Sequence, residues 1–300
     1  MEGDAVMSAD PAAPREHTPD LPMPQVLPRP TRDPEQALAD LQHYGLCLMA
    51  DVLDASQLAR ARDAMYRAAA DDRSRGREVK GFGLDQDPHN QRVWNLLNRD
   101  PVFCDLAEHP LAMYLVRETL GWPALLSNIS GNITEPGGGA GVLHADQIFV
   151  PEPWPDQPQG INVAWCIDDF TRENGATEVL VGSHRWRRCP TEADGHLPLV
   201  PVEAPAGSVM AFESRLWHRT GANRSANANR AAVFPFYTTP IYRTQENWFL
   251  SLDPGVRRWA SDTLLTLLAY RSEGFGLVFG ESPVPWDGPP PSTLIQPRRP

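Results

Sequence analysis

The chain has few cysteines, no excess of basic charge and no long uncharged apolar run, and each shortage excludes something. The four cysteines, Cys47, Cys104, Cys166 and Cys189, form neither a CxxC pair nor a zinc-finger spacing. That pattern argues against a structural zinc site or a dense disulfide framework. No secretory signal precedes them, so a reduced, cytoplasmic setting is expected. The formal net charge of −11 argues against nucleic acid or an anionic membrane surface as partner. No uncharged apolar run approaches the ~20 residues that span a bilayer. No internal repeat is visible. What is left is a 300-residue soluble chain, long enough to bury a sizeable core.

The first thirty residues are rich in Pro, Ala and acids and poor in aromatics, a composition that buries little apolar surface. Residues 1–30 are therefore expected to be a flexible tail, 31–285 a single domain, and 286–300 a Pro-rich tail. Asp33, Pro34 and Gly45 mark the start and end of a helix in "TRDPEQALADLQHYG". "LCLMADVL" predicts a strand, and Asp54 caps a strongly periodic helix in "DASQLARARDAMYRAAADD". "DPVFCDLAEHPLAMYLVRETLG" predicts one further helix, ending at Gly121, and "SDTLLTLLAYR" a helix near the C-terminus. Between these lie six short segments bounded by Gly, Pro, Asn or Asp: "ALLSNISGNITEP", "VLHADQIFV", "GINVAWCIDDF", "ATEVLVGSH", "GSVMAFESRLWH" and "RAAVFPFYTTP". Helices followed by a β-rich stretch predict an α+β fold with a sandwich or barrel core.

One segment carries chemistry. In "GVLHADQIFV" a histidine and an aspartate stand two apart, at His144 and Asp146. On a strand such a pair shares one face, and an imidazole with a carboxylate suits a divalent metal such as Fe(II). Chance alone gives about one His-X-acid in a chain of this composition, so the context has to decide. The best third ligand is His218, which ends the strand-like "PAGSVMAFESRLWH". Two histidines and one carboxylate occupy one side of a metal and leave positions open. Twelve residues on, Arg230 opens the next strand, and its planar fork matches a dicarboxylate. His184, in "VGSHRW", is a tempting further ligand.

The stretches "LHADQ", "DDFTRENGATEVLVGSH", "PAGSVMAFESRLWHRTGANRSANANR" and "TTPIYRTQENW" together resemble the phytanoyl-CoA dioxygenase family of Fe(II)/2-oxoglutarate oxygenases. "QRVWNLLNRDPVF", read as a helix, is similar to members acting on natural products. The resemblance implies a double-stranded β-helix (jelly-roll, cupin-like) core with Fe(II) on His144, Asp146 and His218. It implies 2-oxoglutarate and O2 as cosubstrates, with the far carboxylate of 2-oxoglutarate on Arg230. Thr220 and Thr177 match places where relatives put a helping hydroxyl, and Arg92 is a further cosubstrate contact. For His184 the resemblance implies a turn residue rather than a ligand. Several relatives carry Gln three residues before the first ligand histidine, where this chain has Gly141, so that contact is lost or moved.

The family couples decarboxylation of 2-oxoglutarate to oxidation of an unactivated C–H bond. Hydroxylation is the expected outcome, with desaturation, epoxidation or ring change as variants. Halogenating relatives lack the ligand carboxylate, and Asp146 is present. No basic cluster points to a coenzyme A thioester. Aromatic and apolar residues near the site, Ile148, Phe149, Trp154, Trp165 and Trp217, predict a small, moderately apolar substrate, with Phe149, Trp154 and Trp217 as pocket lining. Two other classes stay open on the residues: a Zn hydrolase and a non-catalytic cupin-like metal or ligand sensor. A homodimer is expected from the resemblance and from the apolar "SDTLLTLLAY" helix.

Overall fold

The computed structural model describes residues 21–286, apart from 82, 84 and 85. Helix α1 (Pro34–Tyr44) starts where Asp33 accepts the Glu35 amide, and Gly45 closes it at φ 83°, a left-handed conformation that glycine adopts without strain. Strand β1 (Leu46–Met49) follows at once. Asp54 and Gln57 form a reciprocal capping box on α2 (Ala55–Ser74), which buries Ala61, Ala64, Met65 and Ala68 along one stripe.

Two short strands come next, β2 (Val79–Lys80) and β3 (Asn90–Val93). The residues after β3, Leu96–Asn98, form a 3-10 turn, so "QRVWNLLNRDPVF" is strand and turn up to Val102, where the next helix begins, rather than one helix. The helix expected from Asp100 to Gly121 is two, α3 (Val102–Ala107) and α4 (Pro110–Leu120). Pro110 has no N–H to continue the first helix and disfavours helical geometry at His109. His109 instead caps α4 through its ring, accepting the Leu111 amide at 3.3 Å.

The remaining strands are β4 (Leu125–Thr134), β5 (Gly160–Cys166), β6 (Glu178–Val179), β7 (Val200–Pro201), β8 (Val209–Glu213), β9 (His218–Arg219) and β10 (Arg230–Thr238). A seven-stranded antiparallel sheet runs β1-β8-β5-β10-β4-β3-β2, and a three-stranded sheet runs β7-β6-β9. This is the jelly-roll core flanked by helices.

The central strands are buried on both faces; β5, β8 and β10 are largely apolar, whereas β4 alternates apolar and polar residues. Alternation still sorts them. Cys47, Met49, Val163, Trp165, Val209, Ala211 and Val233 face the helices and join the main core with Met65, Leu115 and Leu120. Leu46, Leu48, Ala164, Met210 and Phe212 face the small sheet, packing on Val179, Val181 and Val202. On β4 the position facing α2 is Gly131, where an added Cβ would collide with the end of the Met65 side chain.

Two expectations change here. Residues 1–20 and 287–300 lie outside the described residues, but 21–30 are not a loose tail. The Gln25 side chain bonds the Val181 backbone at both ends, at 2.8 and 3.1 Å, and Met23 and Leu27 pack on the inter-sheet cluster. These few residues gain order by borrowing a strand end and an apolar surface supplied from elsewhere, which composition alone does not reveal. Near the C-terminus α5 (Trp248–Ser251), α6 (Pro254–Trp259) and α7 (Asp262–Leu267) follow. Leu264, Leu265 and Leu267 of α7 are buried in the main core of the same chain. The apolar face that pointed to a homodimer is thus already covered. Among the described residues, no helix is long and apolar enough to cross a membrane.

Candidate metal centre

His144 and His218 meet through their backbones. Each donates its amide to the other's carbonyl, at 3.0 and 2.8 Å, in an isolated antiparallel bridge. Gly141 to Thr220 and Gln147 to Ser214 flank it, both at 2.9 Å. The regular strand expected over "VLHADQIFV" does not form. The chain turns from Asp146 through Phe149, and the Val150 amide closes the turn on the Gln147 carbonyl at 3.0 Å. Gln147 is fully buried and fixes the turn: its Oε1 accepts from Ser214 Oγ at 2.8 Å and from the Gln159 amide at 3.0 Å. Asp146 therefore converges on the histidines through a turn, not through strand alternation.

One donor atom from each of His144, Asp146 and His218 lies within 4.8 Å of the others. His144 Nε2 is 3.6 Å from Asp146 Oδ1, and His218 Nε2 is 3.6 Å from Asp146 Oδ2. The Nδ1 atoms are engaged on backbone carbonyls, Val142 O at 2.8 Å and Leu216 O at 3.0 Å. A carbonyl can only accept, so each Nδ1 carries the hydrogen and each Nε2 keeps a lone pair for a metal. Burial pushes the His218 imidazole down to about 4, with the Asp146 charge opposing, so it stays neutral and ligand-competent well below neutral pH. Two neutral imidazole nitrogens and one carboxylate are the donor set of a non-heme Fe(II) centre, and the residues fit that metal.

A cavity of about 260 Å³ opens beside these donors. Its walls come mainly from the inner face of the large sheet: Asn128, Ser130 and Asn132 of β4, Asn162 of β5, and Phe234 and Phe236 of β10. Arg92, Thr177 and Thr220 also line it, so three of the expected cosubstrate contacts are brought to the metal side. Arg230 is not part of the wall; it is 1 % exposed. It shares the inward side of β10 with Ala232, Phe234 and Phe236 by alternation, donates through Nε to Gly175 O at 3.0 Å and lies 5.1 Å over the Phe170 ring. Arg224 is exposed and has no place at the cavity. Gly141 contributes only backbone, its amide on Thr220 O.

The expected pocket aromatics need correction. Trp154 and Trp217 are fully buried in a separate cluster with Ala145, Val150 and Leu180. Their indole N–H groups are satisfied there, on Val150 O and Arg188 O, both at 2.9 Å. They are core behind the metal side, not lining. Phe149 is 44 % exposed, its ring centroid 5.2 Å from that of Tyr242. Trp165 faces the helices, while Ile148 does line the cavity. Indole and phenyl groups suit core and pocket equally, so residue type could not separate them. The lining that sequence reasoning missed had a signal: polar residues at alternate positions of a strand buried on both faces, Asn128, Ser130 and Asn132. His184, in a 3-10 turn at Ser183–Trp186, is 5 % exposed and lies outside the metal cluster.

Residues 41–232 match the family model described as phytanoyl-CoA dioxygenase (PhyH). The chain is 35% identical over 247 residues to dioxygenase af480 of Aspergillus fumigatus, covering 82% of this chain and 80% of that one. The protein belongs to the phytanoyl-CoA dioxygenase family. It is also 31% identical over 156 residues to the Fe(II)/2-oxoglutarate-dependent dioxygenase nvfF of Aspergillus novofumigatus, about half of each chain (49% and 51%). Among solved structures it is similar to HygX from Streptomyces hygroscopicus, determined with nickel, 2-oxoglutarate and hygromycin B bound. That likeness has a TM-score of 0.58 at 17% identity, covers 70% of this chain and 88% of HygX, and speaks to the fold.

Proposed function

We propose that this protein is an Fe(II)- and 2-oxoglutarate-dependent dioxygenase that oxidises an unactivated C–H bond of a small molecule in natural-product assembly, by hydroxylation. The observation that carries the proposal is the triad itself, with both Nδ1 atoms pinned on carbonyls and both Nε2 atoms turned to one carboxylate. When bound, iron and 2-oxoglutarate supply the oxidising power: O2 is split, one atom entering succinate as CO2 leaves and the other entering the substrate.

The chain's own groups do the rest. His144, Asp146 and His218 hold the metal. Arg230, on the inward side of β10 behind the present cavity wall and held by Gly175 O, would grip the far carboxylate of 2-oxoglutarate, with Thr177, Thr220 and Arg92 around the cosubstrate. The substrate lies against a wall in which the rings of Phe212, Phe234 and Phe236 are interleaved with the amides of Asn128 and Asn162, with Gln245 beside them. That mixture refines the moderately apolar substrate expected from sequence: an apolar body carrying several oxygen functions fits such a wall.

A Zn hydrolase would need a general base beyond the ligands. Among the described lining residues, the acidic and imidazole groups are the three ligands alone. The test is succinate formation from 2-oxoglutarate. Succinate that requires both Fe(II) and O2 supports the oxygenase; tight metal binding without turnover over a panel of oxygenated polycyclic substrates would favour a sensor instead.

A further inference from the structure

Asn162 stands in the middle of β5, opposite Phe212 on β8 and Phe236 on β10. Phe236 in turn faces Asn128 on β4. These four side chains form one row across the inner face of the sheet, and all four line the cavity. An amide between two phenyl rings, 5 % exposed, is costly unless its N–H groups are bonded. Its partner comes from the opposite layer: Asn162 Nδ2 is 2.6 Å from Asp146 Oδ2. A carboxylate oxygen here can only accept, so the amide must present its NH2 end to it.

The consequence concerns which oxygen of Asp146 the metal meets. Oδ1 and Oδ2 are equally near an imidazole, each 3.6 Å from one Nε2, so the histidines alone do not choose between them. We propose that Asn162 is a positioning residue: by engaging Oδ2 it presents Oδ1 to the metal and keeps the carboxylate single-toothed. A single-toothed carboxylate leaves the metal positions that a two-toothed cosubstrate and O2 require. This inference rests on the metal-centre reading above.

Co(II) is the probe, because its visible ligand-field bands follow coordination number and its binding needs no turnover. Wild type, Asn162→Leu and Asn162→Ala are compared by thermal melting, Co(II) titration calorimetry and visible absorption. In both variants Co(II) affinity falls at least about tenfold, the range seen when partners of metal ligands are removed, and the bands shift as Asp146 becomes free to chelate. Asn162→Ala, whose side chain fits wherever the amide fits, decides the matter if Leu disturbs the fold. Folded variants that bind Co(II) within twofold of wild type would overturn the proposal. So would weakened binding with unshifted bands, which marks a merely structural amide. If wild type itself binds neither Co(II) nor 2-oxoglutarate, the metal-centre reading falls and takes this inference with it.

Discussion

The two faces of the seven-stranded sheet are built from alternate residues of the same strands, yet they differ in kind. Toward the helices β4 and β5 present Ile129, Ile133, Val163 and Trp165, all buried in one apolar core. Toward the small sheet the same strands present Asn128, Ser130, Asn132 and Asn162, around a cavity and a metal-binding cluster. One face secures the fold, and the other gives up apolar packing to place amides and donors. Substitutions on the two faces should therefore separate stability from function.

The largest effect belongs to the metal cluster. His144→Ala, Asp146→Ala and His218→Ala each remove a donor and should abolish Fe(II)-dependent succinate formation and stoichiometric iron binding, without unfolding the protein. Iron titration with wild-type stoichiometry in one of them would remove that residue from the set. On the other face, Ile133→Ala leaves a cavity in the main apolar core and should cost roughly 2–4 kcal/mol of stability. Denaturant melts read this, while the variant still folded at low temperature should bind iron with unchanged affinity. A loss of iron affinity there would show that the two faces are not separable.

Arg230→Lys sharpens the comparison at the inner end of β10. Lys keeps the charge but not the planar fork, and charge-assisted bonds of this kind are worth roughly 1.5–3 kcal/mol. The apparent KM for 2-oxoglutarate should rise at least about tenfold, since ~1.4 kcal/mol is one decade, and iron affinity should hold. Unchanged 2-oxoglutarate binding would hand the anchoring role to Arg92.

A smaller effect tests the structural histidine. Burial first, then the Arg215 and Arg185 charges, push His184 down to about 3. In the unfolded chain it takes a proton near pH 6.5, and in the folded chain it does not. Between about pH 6 and 4 the unfolded state binds more protons, so stability falls as pH falls, by about 1.4 kcal/mol per pH unit from this group. His184→Gln should flatten that slope without changing iron binding; an unaltered slope would mean that another group dominates.

The legible parts of the molecule were those fixed locally. Asp33, Pro34 and Gly45 bound α1, and the Asp54–Gln57 box starts α2, because caps act over three or four residues. The ligand set was legible as residue types at a suggestive spacing, but its geometry was not. Asp146 is placed by a turn that Gln147 anchors on Ser214, 67 residues away, and on Gln159. The break at Pro110 was readable, whereas the docking of Gln25 on Val181 depends on a contact 156 residues away. Trp154 and Trp217 were misplaced because an indole satisfied by backbone carbonyls is as good a core residue as a pocket wall.

The most direct test is an anaerobic titration of 2-oxoglutarate into Fe(II)-loaded protein, followed by calorimetry, in wild type, His218→Ala and Ile133→Ala. The account predicts one metal-dependent site in wild type, the same site in folded Ile133→Ala, and none in His218→Ala. Binding of 2-oxoglutarate that survives both metal removal and His218→Ala would contradict it.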